Sequence, residues 1–196
     1  VAESSVAEFA VGDEVFVTGF DLGMNTSGGY QEYIRVPAAW VIKRLPNLNL
    51  KETMVYGTAG LTAMLSVASL VDAGVKAKDG EVLVTGTTGG VGSFAARTLV
   101  KLGYEVVGVQ RGPEEETFLD SLGLKRIVPV EEVDDQSGRP LGKGLWAGVI
   151  DTVGGNILYT AIKTTRYGGS ITCCGNAASN SLPATVLPFI LRGITL

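Results

Sequence analysis

Along the second half of the chain, short runs of consecutive apolar residues alternate with stretches in which apolar residues recur every three or four positions. The run Glu81-Val82-Leu83-Val84-Thr85 ends in glycine, as a parallel strand buried on both faces would. In the next stretch Val91, Phe94, Ala95, Thr98, Leu99 and Leu102 fall on one helical face, while Arg97 and Lys101 fall on the other. That pattern predicts a helix lying on a sheet. The alternation continues with strands at 105–109, 126–130, 146–151 and 170–174, and helices at 114–122 and 156–164. A short helix near 186–191 leads to Ile194, where a sixth strand begins. Strand and helix in this order imply a parallel sheet with right-handed crossovers, a doubly wound α/β fold.

The first third reads differently. Residues 13–18, 30–36 and 40–44 are short runs rich in β-branched and aromatic residues, separated by a loop through Gly23, Gly28 and Gly29 and by Pro37. Pro46-Asn47 closes this part, which divides the chain into 1–46 and 47–196. From 50 to 71 the pattern is helical, as two helices hinged at 57–60.

With 196 residues and 45% hydrophobic composition, the chain can bury a sizeable core, so bulk disorder is not expected. Its net charge of −4 and lack of any basic cluster argue against nucleic acid or an anionic membrane as partner. No stretch of eighteen apolar residues suggests a membrane span, and the start Val1-Ala2-Glu3-Ser4-Ser5 has no signal-peptide character. The chain has no initiator Met and stops at Leu196 inside an apolar run, so a longer parent protein is expected.

The two cysteines, Cys173 and Cys174, are adjacent in an apolar run. Neighbours in a strand face opposite ways, which predicts buried reduced thiols rather than a disulfide or a shared metal, and a cytoplasmic setting. Histidine is absent. Zinc hydrolysis and Ser-His catalysis are therefore not expected of this segment.

The chemistry concentrates at Gly86-Thr87-Thr88-Gly89-Gly90-Val91-Gly92, between a strand and an amphipathic helix. The first N–H groups of a helix have no intrahelical partner and carry partial positive charge, so they attract an anion. Glycine lets a diphosphate approach the backbone. The spacing departs from G-x-G-x-x-G, and the context of strand, turn and helix carries the assignment; the alternative is a turn needing glycine only for packing. After the second strand come Gln110-Arg111-Gly112, where an acidic side chain would accept ribose hydroxyls. An amide and an Arg there favour a 2′-phosphate and hence NADPH, unless Arg111 is only a solvated surface charge. Glu114, Glu115 and Glu116 are expected to cap the following helix. The glycine turn with Tyr159-Thr160-Ala161-Ile162-Lys163 also imitates a short-chain dehydrogenase, but the Tyr follows the fourth strand too directly. Tyr159 is expected to pack.

Taken in order, the motifs resemble the medium-chain dehydrogenase/reductase superfamily, in its zinc-free quinone oxidoreductase branch and acrylyl-CoA reductase subfamily. The resemblance runs through Gly29-Tyr30-Gln31-Glu32-Tyr33, Gly57-Thr58-Ala59-Gly60-Leu61-Thr62-Ala63 and Asp79-Gly80-Glu81-Val82. It continues through the glycine turn, Trp146-Ala147-Gly148-Val149-Ile150-Asp151-Thr152-Val153-Gly154, and Pro188-Phe189-Ile190-Leu191-Arg192. It implies a Rossmann domain at 47–196 preceded by the tail of a GroES-like β-barrel at 1–46. Thr88, Gly89, Gly90 and Val91 would contact the phosphates, and Gln110, Arg111 and Gly112 the 2′-phosphate. Asn176 and Ile190 would line the nicotinamide side. The subfamily's Ser-Gly-Arg is replaced here by Gln-Arg-Gly, so the Arg is displaced by one, and Val130 stands where the family has an Arg.

The implied activity is NADPH-dependent reduction of an α,β-unsaturated carbonyl, an acrylyl-CoA-like thioester or a quinone, in a homodimer pairing through the sixth strand. Tyr56 and the 57–60 turn are placed either under the nicotinamide or in the core, and no catalytic residue is identified. The competing readings are a cofactor-binding module, or a remnant with no catalysis of its own.

Overall fold

The apolar runs of the second half pair side by side in one parallel sheet, in a computed structural model that describes all of Val1–Leu196. In chain order the elements are β1 (Val15–Phe16), β2 (Ile42–Lys43), α1 (Leu50–Asp72), β3 (Val82–Val84), α2 (Gly90–Lys101) and β4 (Val106–Gln110). They continue with α3 (Glu116–Asp120), β5 (Arg126–Pro129), β6 (Trp146–Asp151), α4 (Gly155–Thr164), β7 (Thr165–Cys173) and α5 (Leu187–Arg192). Two units are distinguishable, Val1–Leu61 and Thr62–Leu196, and the division falls within α1.

In the second unit the strand order is β5-β4-β3-β6-β7, all parallel. The chain moves outward from β3 through β4 to β5, then crosses back to place β6 on the other side of β3. The order reverses between β3 and β6, which opens a crevice at their carboxyl ends. Alternation within each strand supplies two cores. Val82 and Val84 pack on one face with Ala63, Val67 and Leu70 of α1 and Ala95, Ala96 and Leu99 of α2. Leu83, Val107 and Val149 pack on the other with Leu158, Tyr159 and Ile162 of α4. The result is a sheet covered by helices on both faces, the doubly wound α/β fold that the periodicity implies.

Several elements differ from the sequence expectation. The third strand ends one residue earlier, at Pro129, and the helix expected at 114–122 is a 3-10 turn, Pro113–Glu115, followed by the short α3. Leu102 caps α2 and is exposed, while Ala96, not counted on the inner face, is fully buried. The sixth strand is a single parallel bridge, Ser170 to Thr195.

In the first unit β1 and β2 pair antiparallel, Val15 with Lys43 and Phe16 with Ile42. The strand expected at 30–36 does not form. Its aromatic residues Tyr30 and Tyr33 are exposed, and β propensity alone makes no ladder without a paired edge. Within α1, Gly57 has φ +47° and ψ −150°, breaking the helix at the hinge read from the sequence. By length and composition alone α1 is long and apolar enough to cross a membrane, which corrects the expectation that no segment qualifies. The break leaves its regular part, from 58 to 72, shorter than the ~20 residues of a span.

Candidate functional site

The turn between β3 and α2 is shaped by backbone contact. Gly86 has φ +59°, and a Cβ there would lie 2.2 Å from Thr152 Oγ1. A Cβ on Gly92 would lie 2.2 Å from the Gly86 carbonyl oxygen, so α2 can start this close to β3 only with glycine at that position. Gly89 N donates to Gly86 O at 2.9 Å, closing the turn. Gly89 is the N-cap of α2 and no side chain caps the helix. Its first amides, at Gly90, Val91 and Gly92, therefore lack an intrahelical acceptor, and Gly89 and Gly90 are exposed. A twelve-residue helix directed at an open glycine turn fits a diphosphate.

Three threonines fix the turn in the sheet. Thr87, fully buried, donates to Val84 O at 2.7 Å and accepts from Val109 N at 2.8 Å, which ties the turn to β4. Thr85 Oγ1 donates to Asp151 Oδ1 at 2.6 Å and accepts from Thr152 N at 3.1 Å. Thr152 Oγ1 donates in turn to Thr85 O at 3.0 Å. Asp151 Oδ2 accepts from Gly154 N at 2.8 Å. The Asp151 carboxyl is pushed above its usual range because burial disfavours the charge, although the Thr85 and Gly154 donors work the other way. This clasp joins the ends of β3 and β6 at the point where strand order reverses. The sequence showed Thr85 and Asp151 only as strand ends, because partners so far apart in the chain leave no periodic signal.

The third layer of the site is the segment after β7. Ala178 N donates to Val153 O at 2.9 Å, and Gly154, at φ +74°, lies against the Asn176 backbone and the Ser179 carbonyl. Asn176 is thereby brought beside the β6 turn, with its side chain exposed. Ile190 sits on α5 and is 70% exposed.

At the end of β4 the side chains are already engaged. Gln110 Nε2 donates to Gly112 O at 2.9 Å, and Glu114 folds over Gly112. Glu115, expected only to cap a helix, instead accepts from Thr88 Oγ1 at 3.1 Å and from Arg111 N at 2.8 Å. Its Oε1 also lies 3.6 Å from Arg111 Nη2. No side chain caps the 3-10 turn or α3. Charge near a helix start suggested a cap; the turn geometry carries that charge back to the glycine turn.

The dehydrogenase-like Tyr and Lys are structural. Tyr159 is buried in the core, and Lys163, 1% exposed, pairs with Asp135 Oδ2 at 2.7 Å and lies over the Tyr159 ring. Donation from Lys163 and Ser137 holds the Asp135 carboxyl down at about 2. Tyr56 belongs to the first unit and is half exposed, its ring beside Gly60.

The cysteines correct the sequence reading in their burial, since both are exposed. Cys173 is the last residue of β7 and Cys174 lies beyond it, where the chain leaves the covered sheet. Cys173 Sγ is 3.8 Å from Asp151 Oδ2, and Cys174 Sγ is 3.5 Å from Asp151 O. Partial burial and the neighbouring Asp151 charge push the Cys173 thiol up. No group of three or more His, Cys, Asp or Glu side chains is arranged to hold a metal. Two concavities lie elsewhere: about 590 Å³ by Glu14, Arg44 and Lys51, and about 140 Å³ by Asp79, Arg166 and Tyr167 at the opposite end of the sheet.

Comparison with known proteins finds relatives along the whole chain. The acrylyl-CoA reductase AcuI of Ruegeria pomeroyi is 43% identical over the whole chain, which spans 59% of that protein. The structure of the yhdH oxidoreductase from Salmonella enterica in complex with NADP superposes with a TM-score of 0.95 at 45% identity, covering 100% of this chain and 60% of that one. The Bacillus subtilis yhfP protein with NAD bound gives 0.94 at 44% identity, with the same coverage. The chain thus spans about 60% of the length of these relatives. A family described as zinc-binding dehydrogenase matches residues 90–196, more than half of the chain and all of it from the start of α2 onward. The chain belongs to this zinc-binding dehydrogenase family, within the medium-chain dehydrogenases and reductases to which its ordered motifs point.

Proposed function

We propose that this chain holds the NADPH of a reductase acting on an alkene conjugated to a carbonyl, such as an acrylyl-CoA-like thioester or a quinone. The observation that carries the reading is the open glycine turn at the β3–β6 reversal, with unpartnered amides at the start of α2. Thr88, Gly89, Gly90 and Val91 hold the diphosphate through their backbone amides, while the Thr88 hydroxyl donates to Glu115. Gln110, Arg111 and Gly112 receive the 2′-phosphate end, and Asn176 and Ile190 line the nicotinamide side. The Thr85–Asp151–Thr152 clasp keeps the turn and the β6 loop at a fixed separation, so the site is organised before the dinucleotide arrives.

Bound NADPH would supply a hydride for the β-carbon of the alkene. The substrate carbonyl already polarises that carbon, so the reading requires no zinc. The first unit would contribute part of a GroES-like barrel, the Thr195 edge would pair two copies in a homodimer, and the setting would be cytoplasmic.

Titration of the chain with NADPH, followed by coenzyme fluorescence, tests the assignment. Saturable binding is expected. A Gly90→Val variant, whose Cβ branch crowds the exposed amides, is expected to lose it by tenfold or more (about 1.4 kcal/mol). Equal binding by both forms refutes the placement. Turnover of NADPH with acrylyl-CoA by this chain would exclude the reading of a module without catalysis.

A further inference from the structure

We infer that Glu115 sets the coenzyme preference of this chain, acting as a built-in competitor for the 2′-phosphate of NADPH. The inference rests on the proposed dinucleotide site. Glu115 reaches both residues between which the adenosine ribose would lie. Its Oε1 accepts from Thr88 Oγ1 in the phosphate turn, and its Oε2 accepts from the Arg111 amide. The Glu115 side chain is 13% exposed whereas that of Arg111 is 75% exposed, so the acid is fixed and the base is free to move.

The electrostatics follow from that placement. The carboxylate already offsets part of the Arg111 guanidinium charge at 3.6 Å, and a 2′-phosphate drawn to Arg111 meets a like charge a few ångströms away. NADH presents ribose hydroxyls instead, which donate to a carboxylate. Gln110 occupies the strand end where an acid would ordinarily make that distinction, and its amide is spent on Gly112 O. Glu115 performs the same task from the following 3-10 turn. Arg111 favours NADPH, Glu115 opposes it, and the wild-type chain discriminates weakly between the two coenzymes.

Fluorescence titrations with NADPH and NADH, and their displacement by 2′,5′-ADP and 5′-ADP, test the inference on the intact chain. Glu115→Gln keeps the shape and a hydrogen-bonding group while removing the charge. It is expected to tighten NADPH and 2′,5′-ADP about tenfold, and to leave NADH and 5′-ADP unchanged or weaker as the charged acceptor for the ribose hydroxyls is lost. Arg111→Ala alone is expected to weaken NADPH by less than about threefold, but to abolish the gain when combined with Glu115→Gln. The Arg111→Ala arm needs no change at Glu115, and a loss above about tenfold there overturns the inference. Binding of both coenzymes with an unchanged ratio in Glu115→Gln overturns it as well. Binding of neither by the wild type overturns the dinucleotide reading and this inference with it.

Discussion

The two ends of the candidate dinucleotide site are built in opposite ways. At residues 86–92 the shape is fixed by main chain: a Gly92 Cβ would strike the Gly86 carbonyl, and Thr85 and Thr87 pin the turn to β6 and β4 from inside the sheet. At residues 110–116 the shape is held by exposed or partly exposed side chains, Gln110 on Gly112, Glu114 over Gly112, and Glu115 between Thr88 and Arg111. Backbone cannot yield without unfolding the strand that carries it, whereas the end of the exposed Glu114 side chain moves at little cost, and even the held Glu115 can be exchanged without disturbing a strand. The phosphate end is thus where the fold commits itself, and the ribose end is where specificity can vary without loss of the fold.

The same substitution at both ends breaks this comparison most directly. Gly92→Ala, although a gain in helix propensity of about 1 kcal/mol, forces α2 away from the Gly86 carbonyl. A net loss of about 1–3 kcal/mol in urea denaturation is expected, with NADPH and NADH both weakened at least about tenfold. A variant as stable as wild type that binds either coenzyme normally would contradict the backbone-fixed turn.

A smaller effect is expected at the clasp. Asp151→Asn leaves the buried Thr85 hydroxyl or the Gly154 amide with a poorer acceptor, costing about 1–3 kcal/mol. The pH dependence sharpens the test. Burial raises the Asp151 folded pKa above its ordinary 3.8, so its contribution is complete below that value and is lost as pH rises through the folded pKa. Denaturation curves of the Asn variant should lack this component, and the stability gap between the two proteins should narrow as pH rises through that range. A gap independent of pH would mean that Asp151 is not the titrating group.

The least effect belongs to Gly112→Ala. Its added Cβ would meet only the terminal atoms of Glu114, which can swing into solvent, and its φ is ordinary extended backbone. Stability within about 0.5 kcal/mol of wild type and NADH affinity within about twofold are expected. A loss comparable with Gly92→Ala would erase the distinction between the two ends.

Much of this architecture was legible without coordinates. The run 146–151 is β6 to the residue, and the period change at Gly86 marked the turn, because a strand buried on both faces and an amphipathic helix leave unlike patterns. The reading failed where a neighbour decides. Residues 30–36 have strand composition but form no ladder, and Cys173 and Cys174 have buried-strand neighbours but sit where the sheet ends. The Tyr159–Lys163 spacing carried a catalytic signature, yet Asp135, far off in sequence, makes that lysine part of a buried pair.

The sequence by itself determined the order of strands and helices, the glycine turn and its place before α2, since each follows from periodicity and from the need for residues without a Cβ within a short stretch. Only the tertiary structure decided that Thr85 meets Asp151 and that Glu115 turns back onto Thr88 and Arg111. Those partners come from separate segments of chain. Their meeting is set by which strands lie side by side and how a short turn folds, neither of which is encoded in the spacing of residues along one element.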